Sequence, residues 1–161
     1  MIRVMTREDW PAVQAIYKAA VDNGRITFLA ECPGFEQWDN NHVKDCRFVM
    51  EQDGKVVGWC ALSPYCSKPA YYGVVEVSIY FDEAYRGKGL GTELLNHLVT
   101  ESEKAGYWSL YAVVITHNEA SYRLHKKCGF RQIGYREKIA RDPSGQWQDT
   151  YVFEKRSQTL I

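Results

Sequence analysis

The stretch VVEVSIYFDEAYRGKGLGTELLNHLV, residues 74–99, decides the fold, because a strand, a glycine loop and a helix follow one another within it. Residues 74–81 form a near-continuous apolar run, which is typical of a central strand that is buried on both faces. Beyond the loop, apolar residues three and four positions apart predict one buried helix face: Leu90, Leu94, Leu95, Leu98 and Val99.

The loop between strand and helix has glycine at three alternate positions: Gly87, Gly89 and Gly91. Without side chains, the backbone N–H groups there can approach an anion closely, and the helix N-terminus adds a partial positive charge. Arg86 and Lys88 add two cations, which suit a pyrophosphate better than a single carboxylate. The loop therefore predicts a pyrophosphate site, with a merely flexible turn as the alternative.

Two other phosphate-binding motifs each require a residue that the loop lacks. A P-loop requires Ser or Thr after Gly-Lys, but Gly89 follows Lys88. A dinucleotide fingerprint that begins at Gly87 requires glycine at its sixth position, where Thr92 stands. These mismatches disfavour a nucleotide triphosphatase and a Rossmann oxidoreductase.

Outward from this stretch, strands and helices alternate to both ends of the chain. Caps and turns mark the ends of these elements. They are the Thr6/Asp9 capping pair, Gly24 after the first helix, the hairpin turn Asp53-Gly54, Asn118 before a short helix that ends at Cys128-Gly129-Phe130, and the turn at 142–145. This pattern predicts an α/β fold, with a central mixed sheet and helices on both faces. We expect one domain over residues 1–157 and a tail at 158–161.

Composition narrows the function. Lys and Arg number 20, as do Asp and Glu, so no basic field favours nucleic acid as a partner. No apolar run reaches the roughly 18 residues of a membrane span, and the first residues run directly into charged residues 7–9, so we expect neither export nor membrane insertion. Five cysteines without a C-x-x-C pair suit a reducing cytoplasm, and His42, His97 and His117 lack metal-ligand spacing. We predict a cytoplasmic protein without a metal site.

The motif Arg86-x-x-Gly89-x-Gly91 after an apolar strand resembles the acetyl-CoA signature of the GNAT superfamily of N-acetyltransferases. Asn118, His125 and Gly129-Phe130 resemble its next segment, although many members have tyrosine where His125 stands. Residues 118–125, 75–80 and 145–149 resemble the branch of phosphinothricin acetyltransferases and related bacterial amino-acid N-acetyltransferases. The resemblance implies a GNAT-type fold, a homodimer, acetyl-CoA as co-substrate, and coenzyme contacts from Ile79, Tyr80, Phe81, Arg86, Gly87, Lys88, Gly89, Leu90, Gly91, Thr92 and Asn118.

Acetyl transfer to a protonated amine needs a general base. Glu76 interrupts the apolar run, and a carboxylate in such surroundings either finds a partner or has its pKa raised. We predict Glu76 as the base, directly or through water; a structural carboxylate paired with Arg or a backbone N–H is the alternative. A backbone N–H where this strand is splayed would stabilise the oxyanion.

The departing thiolate needs a proton or a hydrogen-bond donor. His125 can titrate near neutrality, and we predict it as the general acid, with a base role or a purely packed side chain as alternatives. Tyr122 is a second candidate donor.

The resemblance places the acceptor opposite the coenzyme, near the early linker, the loop before the central strand and the final hairpin. These segments offer four aromatic residues, Phe28, Tyr71, Tyr72 and Trp147, and two candidate carboxylate clamps, Arg25 and Arg141. Any of the aromatic residues can instead be core. We predict N-acetylation of a small amino acid or an analogue such as phosphinothricin or methionine sulfoximine. A protein, lysine or polyamine acceptor and a non-catalytic acetyl-CoA sensor are the alternatives.

Overall fold

A computed structural model describes residues 1–161, the whole chain, and it contains one seven-stranded mixed sheet. The strands are β1 (Ile2–Val4), β2 (Phe48–Gln52), β3 (Lys55–Pro64), β4 (Val74–Phe81), β5 (Ser109–Ile115), β6 (Arg131–Arg141) and β7 (Trp147–Arg156), in the spatial order β1-β2-β3-β4-β5-β7-β6. The helices are α1 (Trp10–Asn23), α2 (Phe35–Asn41), α3 (Leu90–Lys104) and α4 (Glu119–Lys127). None of them is long and apolar enough to cross a membrane.

Helices cover both faces of this sheet, as the sequence predicts. On one face, α3 places Leu94, Leu95 and Leu98 in the larger core, where all three are fully buried. On the other face, α1 and α2 pack an aromatic cluster around Trp59 of β3. Strand β4 serves both cores because alternate side chains point to opposite faces, with Val75 and Ile79 toward α3 and Tyr80 toward α1.

The β4–β5 pair is the only parallel pair in the sheet, and it is short. Pairing runs from Val74 opposite Ser109 to Glu76 opposite Tyr111 and stops there. Beyond this point β4 continues against β3 as far as Phe81, and β5 continues against β7 as far as Ile115. The two strands therefore splay apart, and the side of β4 that faces the gap has no strand partner from residue 77 onward.

The predicted turns and caps are confirmed in their local geometry. The capping box between Thr6 and Asp9 precedes α1, and Gly24 ends that helix in the left-handed region at φ 69°. The Asn118 side chain accepts a hydrogen bond from the Ser121 N–H and so caps α4. At the C-terminus, the Arg156 guanidinium donates to the Leu160 carbonyl across 2.6 Å.

Candidate active site

A cleft of about 450 Å³ opens where β4 and β5 separate. The end of β4 forms one wall, and the beginnings of α3 and α4 form the others. The structure brings ten of the eleven residues predicted to bind coenzyme to its lining: Ile79, Tyr80, Phe81, Arg86, Gly87, Gly89, Leu90, Gly91, Thr92 and Asn118. The strand, the glycine loop and the Asn118 cap, which are far apart in sequence, thus border one hollow.

The glycine loop has the conformation that glycine permits. Gly87 and Gly89 adopt φ values of 76° and 79°, in the left-handed region, and Gly89 is the N-cap of α3. No side chain fills the space beside either residue, so the backbone at the N-terminus of α3 is open to an anion. Lys88 is the one predicted residue outside the lining, and its Nζ lies over the Tyr85 ring, 5.0 Å from the centroid.

Helix α4 presents one face to the cleft and the opposite face to the core. Ser121, Leu124 and Lys127 line the cleft. His125 does not, because it lies on the other side of the helix, 3 % exposed, with its ring stacked on Phe153. Asn118 and His125 therefore share a helix but not a surface.

The hydrogen bonds of His125 define its tautomer. Nδ1 lies 2.7 Å from the Ser121 carbonyl, which can only accept, so Nδ1 carries the proton and Nε2 is the bare nitrogen. Nε2 is buried without a hydrogen-bond partner, and burial lowers the pKa of the ring. The acid role stays a prediction, and these surroundings favour a neutral ring that has no Nε2 proton to give.

Substitution of His125 separates packing from catalysis. We expect His125→Ala to lower the free energy of unfolding by about 2–4 kcal/mol, because a buried ring in contact with Phe153 is lost. Once the folded fraction is taken into account, kcat should change less than about tenfold, well below the usual contribution of a general acid. Thermal unfolding and steady-state kinetics measure both quantities, and a fall in kcat of more than about a hundredfold would support the acid role.

Glu76 lies on the α1 face of β4, and its carboxylate makes no ion pair and no hydrogen bond within the chain. Its negative charge interacts electrostatically with the hydroxyl groups of three tyrosines, Tyr17, Tyr80 and Tyr111. Burial raises the pKa of Glu76 above its ordinary value. A structural carboxylate would have a cationic or N–H partner, so these surroundings suit a proton acceptor instead.

A second hollow, of about 530 Å³, contains Glu76. It is called the acceptor cavity below, after the role that we propose for it. Its other lining residues come from the β3–β4 loop, β5 and β6: Tyr65, Cys66, Lys68, Tyr71, Tyr111, Val113 and Arg136. Lys68 and Arg136 form no ion pair within the chain, although the Arg136 side chain also interacts with the Tyr111 hydroxyl. One carboxylate and two cations that are free of a carboxylate partner thus line the same hollow.

Of the four aromatic residues predicted to bind the acceptor, only Tyr71 lies in this cavity. Tyr72 is 71 % exposed and packs edge-on against Trp108. Trp147 is half-exposed at the far end of the β6–β7 hairpin, under the Arg141 guanidinium. Phe28 is half-buried in the linker after α1 and lines neither hollow. This cavity therefore does not bring the four residues together, and their role in acceptor binding stays a prediction.

Neither Arg25 nor Arg141 lies in the acceptor cavity, whereas Arg136 and Lys68 do. Sequence reasoning missed these two cations together with Tyr65 and Tyr111. The signal for Lys68 was weak, namely a cation in the loop just before the central strand. Arg136 had no distinguishing signal, because it is one of several cations along β6 and only the strand order brings it near Glu76.

Comparisons with known proteins agree with this geometry. The model of the acetyltransferase (GNAT) family matches residues 10–130. A phosphinothricin N-acetyltransferase of Alcaligenes faecalis is 31% identical, over 96% of this chain and 81% of its own. The crystal structure of a ribosomal-protein-alanine N-acetyltransferase from Brucella melitensis, 30% identical, superimposes with a TM-score of 0.89 and covers 98% of this chain and 99% of its own.

A phosphinothricin acetyltransferase from Sinorhizobium meliloti, solved in complex with acetyl-CoA, superimposes with a TM-score of 0.88 at 26% identity, covering 97% of this chain and 87% of its own. The resemblance stated from the motifs and the mixed α/β fold predicted from the sequence are both confirmed. The chain belongs to the GNAT acetyltransferase family and is an N-acetyltransferase.

Proposed function

We propose that this enzyme transfers the acetyl group of acetyl-CoA to the α-amino group of a small amino acid or an analogue such as phosphinothricin or methionine sulfoximine. The observation that carries this proposal is the acceptor cavity, which combines an unpaired carboxylate, Glu76, with the free cations Lys68 and Arg136. An amino acid has the complementary pair of groups, an amine and a carboxylate. The phosphinothricin acetyltransferases among the relatives support the same class of acceptor.

The cleft between β4 and β5 suits the coenzyme. Its glycine loop offers backbone N–H groups at the N-terminus of α3, with Arg86 beside them, for the pyrophosphate. The unpaired side of β4 beyond Glu76 offers backbone groups for the pantetheine arm, and Asn118 lies on the opposite wall. The related structure from Sinorhizobium meliloti, which was solved with acetyl-CoA, supports this choice of ligand.

Gly91 provides a test of the cleft, because the expected effects on stability and on binding have opposite signs. A methyl group at Gly91 would lie 3.5 Å from Leu124 and 3.7 Å from Phe81, both of which line the cleft. We expect Gly91→Ala to stabilise α3 by up to about 1 kcal/mol, since alanine is the better helix former. The same methyl group narrows the cleft, so KM for acetyl-CoA should rise about tenfold.

Asn96→Ala is the matched control for this variant. Asn96 is exposed in the middle of α3 and outside the cleft, so its replacement should stabilise the helix without changing KM. Thermal unfolding and acetyl-CoA titrations of both variants decide the matter. An unchanged KM in Gly91→Ala would remove this part of the cleft from the coenzyme site.

In the proposed reaction both substrates are bound at once, since the two hollows both border β4. Glu76 and Ile79 are three residues apart, about 10 Å along an extended strand, which leaves space for the acceptor amine and a relaying water. Glu76 takes a proton from the ammonium group, and the freed nitrogen attacks the thioester carbonyl carbon. A backbone N–H at the splayed end of β4 stabilises the oxyanion, the C–S bond breaks, and the nitrogen proton leaves to the thiolate or to solvent.

A different acceptor would give a different result in one experiment. The likeness to the ribosomal-protein-alanine enzyme favours a protein acceptor as the alternative, and a polyamine is tested beside it. The test is release of free thiol from acetyl-CoA with amino acids, their amides, polyamines and peptides. Turnover with amino acids and little with amides or peptides is expected; preference for peptides or polyamines, or binding without turnover, would overturn the proposal.

For the rest of the molecule we propose one catalytic domain over residues 1–157 that acts in the cytoplasm as a homodimer. All five cysteines are free, which suits a reducing compartment. Strand β6 is an edge of the sheet and exposes Ile133, Tyr135 and Ile139, so it offers an apolar surface to a second copy. Light scattering in solution should give twice the chain mass of 18.6 kDa, and a monomer would refute the dimer.

A further inference from the structure

The final hairpin is interrupted directly beside Arg136. Arg136 pairs with Thr150 and Ala140 pairs with Gln148, so residues 137–139 of β6 lie opposite Asp149 alone. Bulges of this kind bend a strand and redirect its side chains. Lys138, within the bulge, has φ 49°, in the left-handed region that a lysine rarely adopts. Some other interaction must therefore stabilise this conformation.

Asp149 supplies that interaction through both of its carboxylate oxygens. Oδ1 accepts the backbone N–H of Lys138 across 2.7 Å, and Oδ2 accepts the hydroxyl of Tyr135. Tyr135 immediately precedes Arg136 and Lys138 follows it by two residues, so the carboxylate binds β6 on both sides of the arginine. Hydrogen bonds to an ionised carboxylate are stronger than neutral ones, and the Tyr135 and Lys138 bonds hold the pKa of Asp149 below its usual value.

We propose that Asp149 is a positioning residue for acceptor recognition. By fixing β6 on both sides of Arg136, it holds the guanidinium over the acceptor cavity, where Arg136 binds the carboxylate of the amino acid. This role rests on the proposed function, because it needs an acceptor with a carboxylate. Asp149 itself lies outside the lining of the cavity and acts through Arg136.

The test compares an amino acid acceptor with its amide, which lacks the negative charge. Asp149→Ala should raise KM for the amino acid about tenfold, as expected for weakening of a charge-assisted hydrogen bond, and leave KM for the amide, KM for acetyl-CoA and kcat nearly unchanged. Tyr135→Phe removes only one of the two interactions. It should raise the ratio of KM for the amino acid to KM for the amide by a smaller factor than Asp149→Ala does. In the background of Arg136→Ala, Asp149→Ala should have no further effect on KM for the amino acid.

Asp142→Ala is the matched control. Asp142 organises the far turn of the same hairpin, where it accepts the N–H groups of Ser144 and Gln146. General loosening of the hairpin should follow from this variant too, whereas KM for the amino acid should not change. Equal effects of Asp149→Ala on acid and amide, additivity with Arg136→Ala, or unchanged kinetics would each overturn the positioning role.

A readout that needs no acetyl transfer keeps this inference separate from the proposed function. The NMR signal of the Arg136 Nε–Hε group should shift or broaden in Asp149→Ala but stay unchanged in Asp142→Ala. If the wild-type enzyme acetylates no amino acid, the proposed acceptor fails, and this signal still decides whether Asp149 holds Arg136. An unchanged Arg136 signal in Asp149→Ala would refute the positioning role of Asp149 and leave the proposed function untouched.

Discussion

Replacement of Glu76 by glutamine should lower kcat by about 10²- to 10⁴-fold, the usual contribution of a general base, while acetyl-CoA binding stays nearly unchanged. Glutamine keeps the shape of the side chain but cannot accept the ammonium proton. Glu76 lies in the acceptor cavity and not in the lining of the coenzyme cleft, which is why only the chemical step should respond. Steady-state kinetics and calorimetric titration with acetyl-CoA measure the two effects, and wild-type turnover would exclude Glu76 as the base.

The same substitution has an opposite, pH-dependent effect on stability. Because burial raises the pKa of Glu76 in the folded chain, the folded state holds this proton more tightly than the unfolded state does. Stability is therefore lost as pH rises from the unfolded pKa through the folded one, and Glu76→Gln escapes this loss. The variant should be at least as stable as the wild type at pH 7, with the difference disappearing below the unfolded pKa. Wild-type kcat/KM should fall on the acid side as Glu76 becomes protonated.

Replacement of Trp59 by alanine should cost about 3–5 kcal/mol in the free energy of unfolding, the largest effect on stability expected here. Trp59 is fully buried at the centre of the α1-side core, with its ring centroid 5.2 Å from those of Tyr17 and Tyr80 and 5.7 Å from that of Trp38. Chemical denaturation measures the loss. Since Tyr80 also lines the coenzyme cleft, KM for acetyl-CoA should rise in the fraction that remains folded.

Trp59→Phe separates ring packing from the polar atom. The indole Nε1 is buried without an acceptor, so phenylalanine removes an unsatisfied donor while it keeps an aromatic ring in place. The two effects oppose each other, and the net cost should stay below about 1.5 kcal/mol. A cost for Trp59→Phe equal to that of Trp59→Ala would mean that a phenyl ring does not replace the packing of the indole in this core.

Local patterns predicted those parts of the site that are local in sequence. The glycine loop is read from three positions and the Asn118 cap from one helix start, and both line the cleft. Glu76, in the acceptor cavity, is read from a single charge within an apolar strand. The sequence analysis expected a splayed strand only because the oxyanion needs a backbone N–H donor. The position of the splay after Glu76 follows from how far β5 pairs with β4, and no single segment encodes that extent.

Apart from Glu76 and Tyr71, the residues that line the acceptor cavity were not predicted, because strand order brings them together. Arg136 reaches the cavity from β6, which is separated from β5 by β7 although it precedes β7 in the chain. Trp147 lies on the same hairpin, yet it is at the far end, and aromatic character alone could not distinguish the two ends. His125 shows a related limit, since its spacing from Asn118 was informative about the helix but not about which face of α4 meets the cleft.

The short parallel ladder between β4 and β5 has a mechanical consequence. Strands β1 to β4 form one antiparallel half of the sheet, and β5, β7 and β6 form the other, and only three residue pairs join the halves. The two halves of the sheet are thus weakly joined, and on the side of β4 that faces β5 the backbone groups beyond Glu76 lack a strand partner. A molecule that bound along this gap would bridge the two halves, so binding of the acetyl donor would also stiffen the sheet.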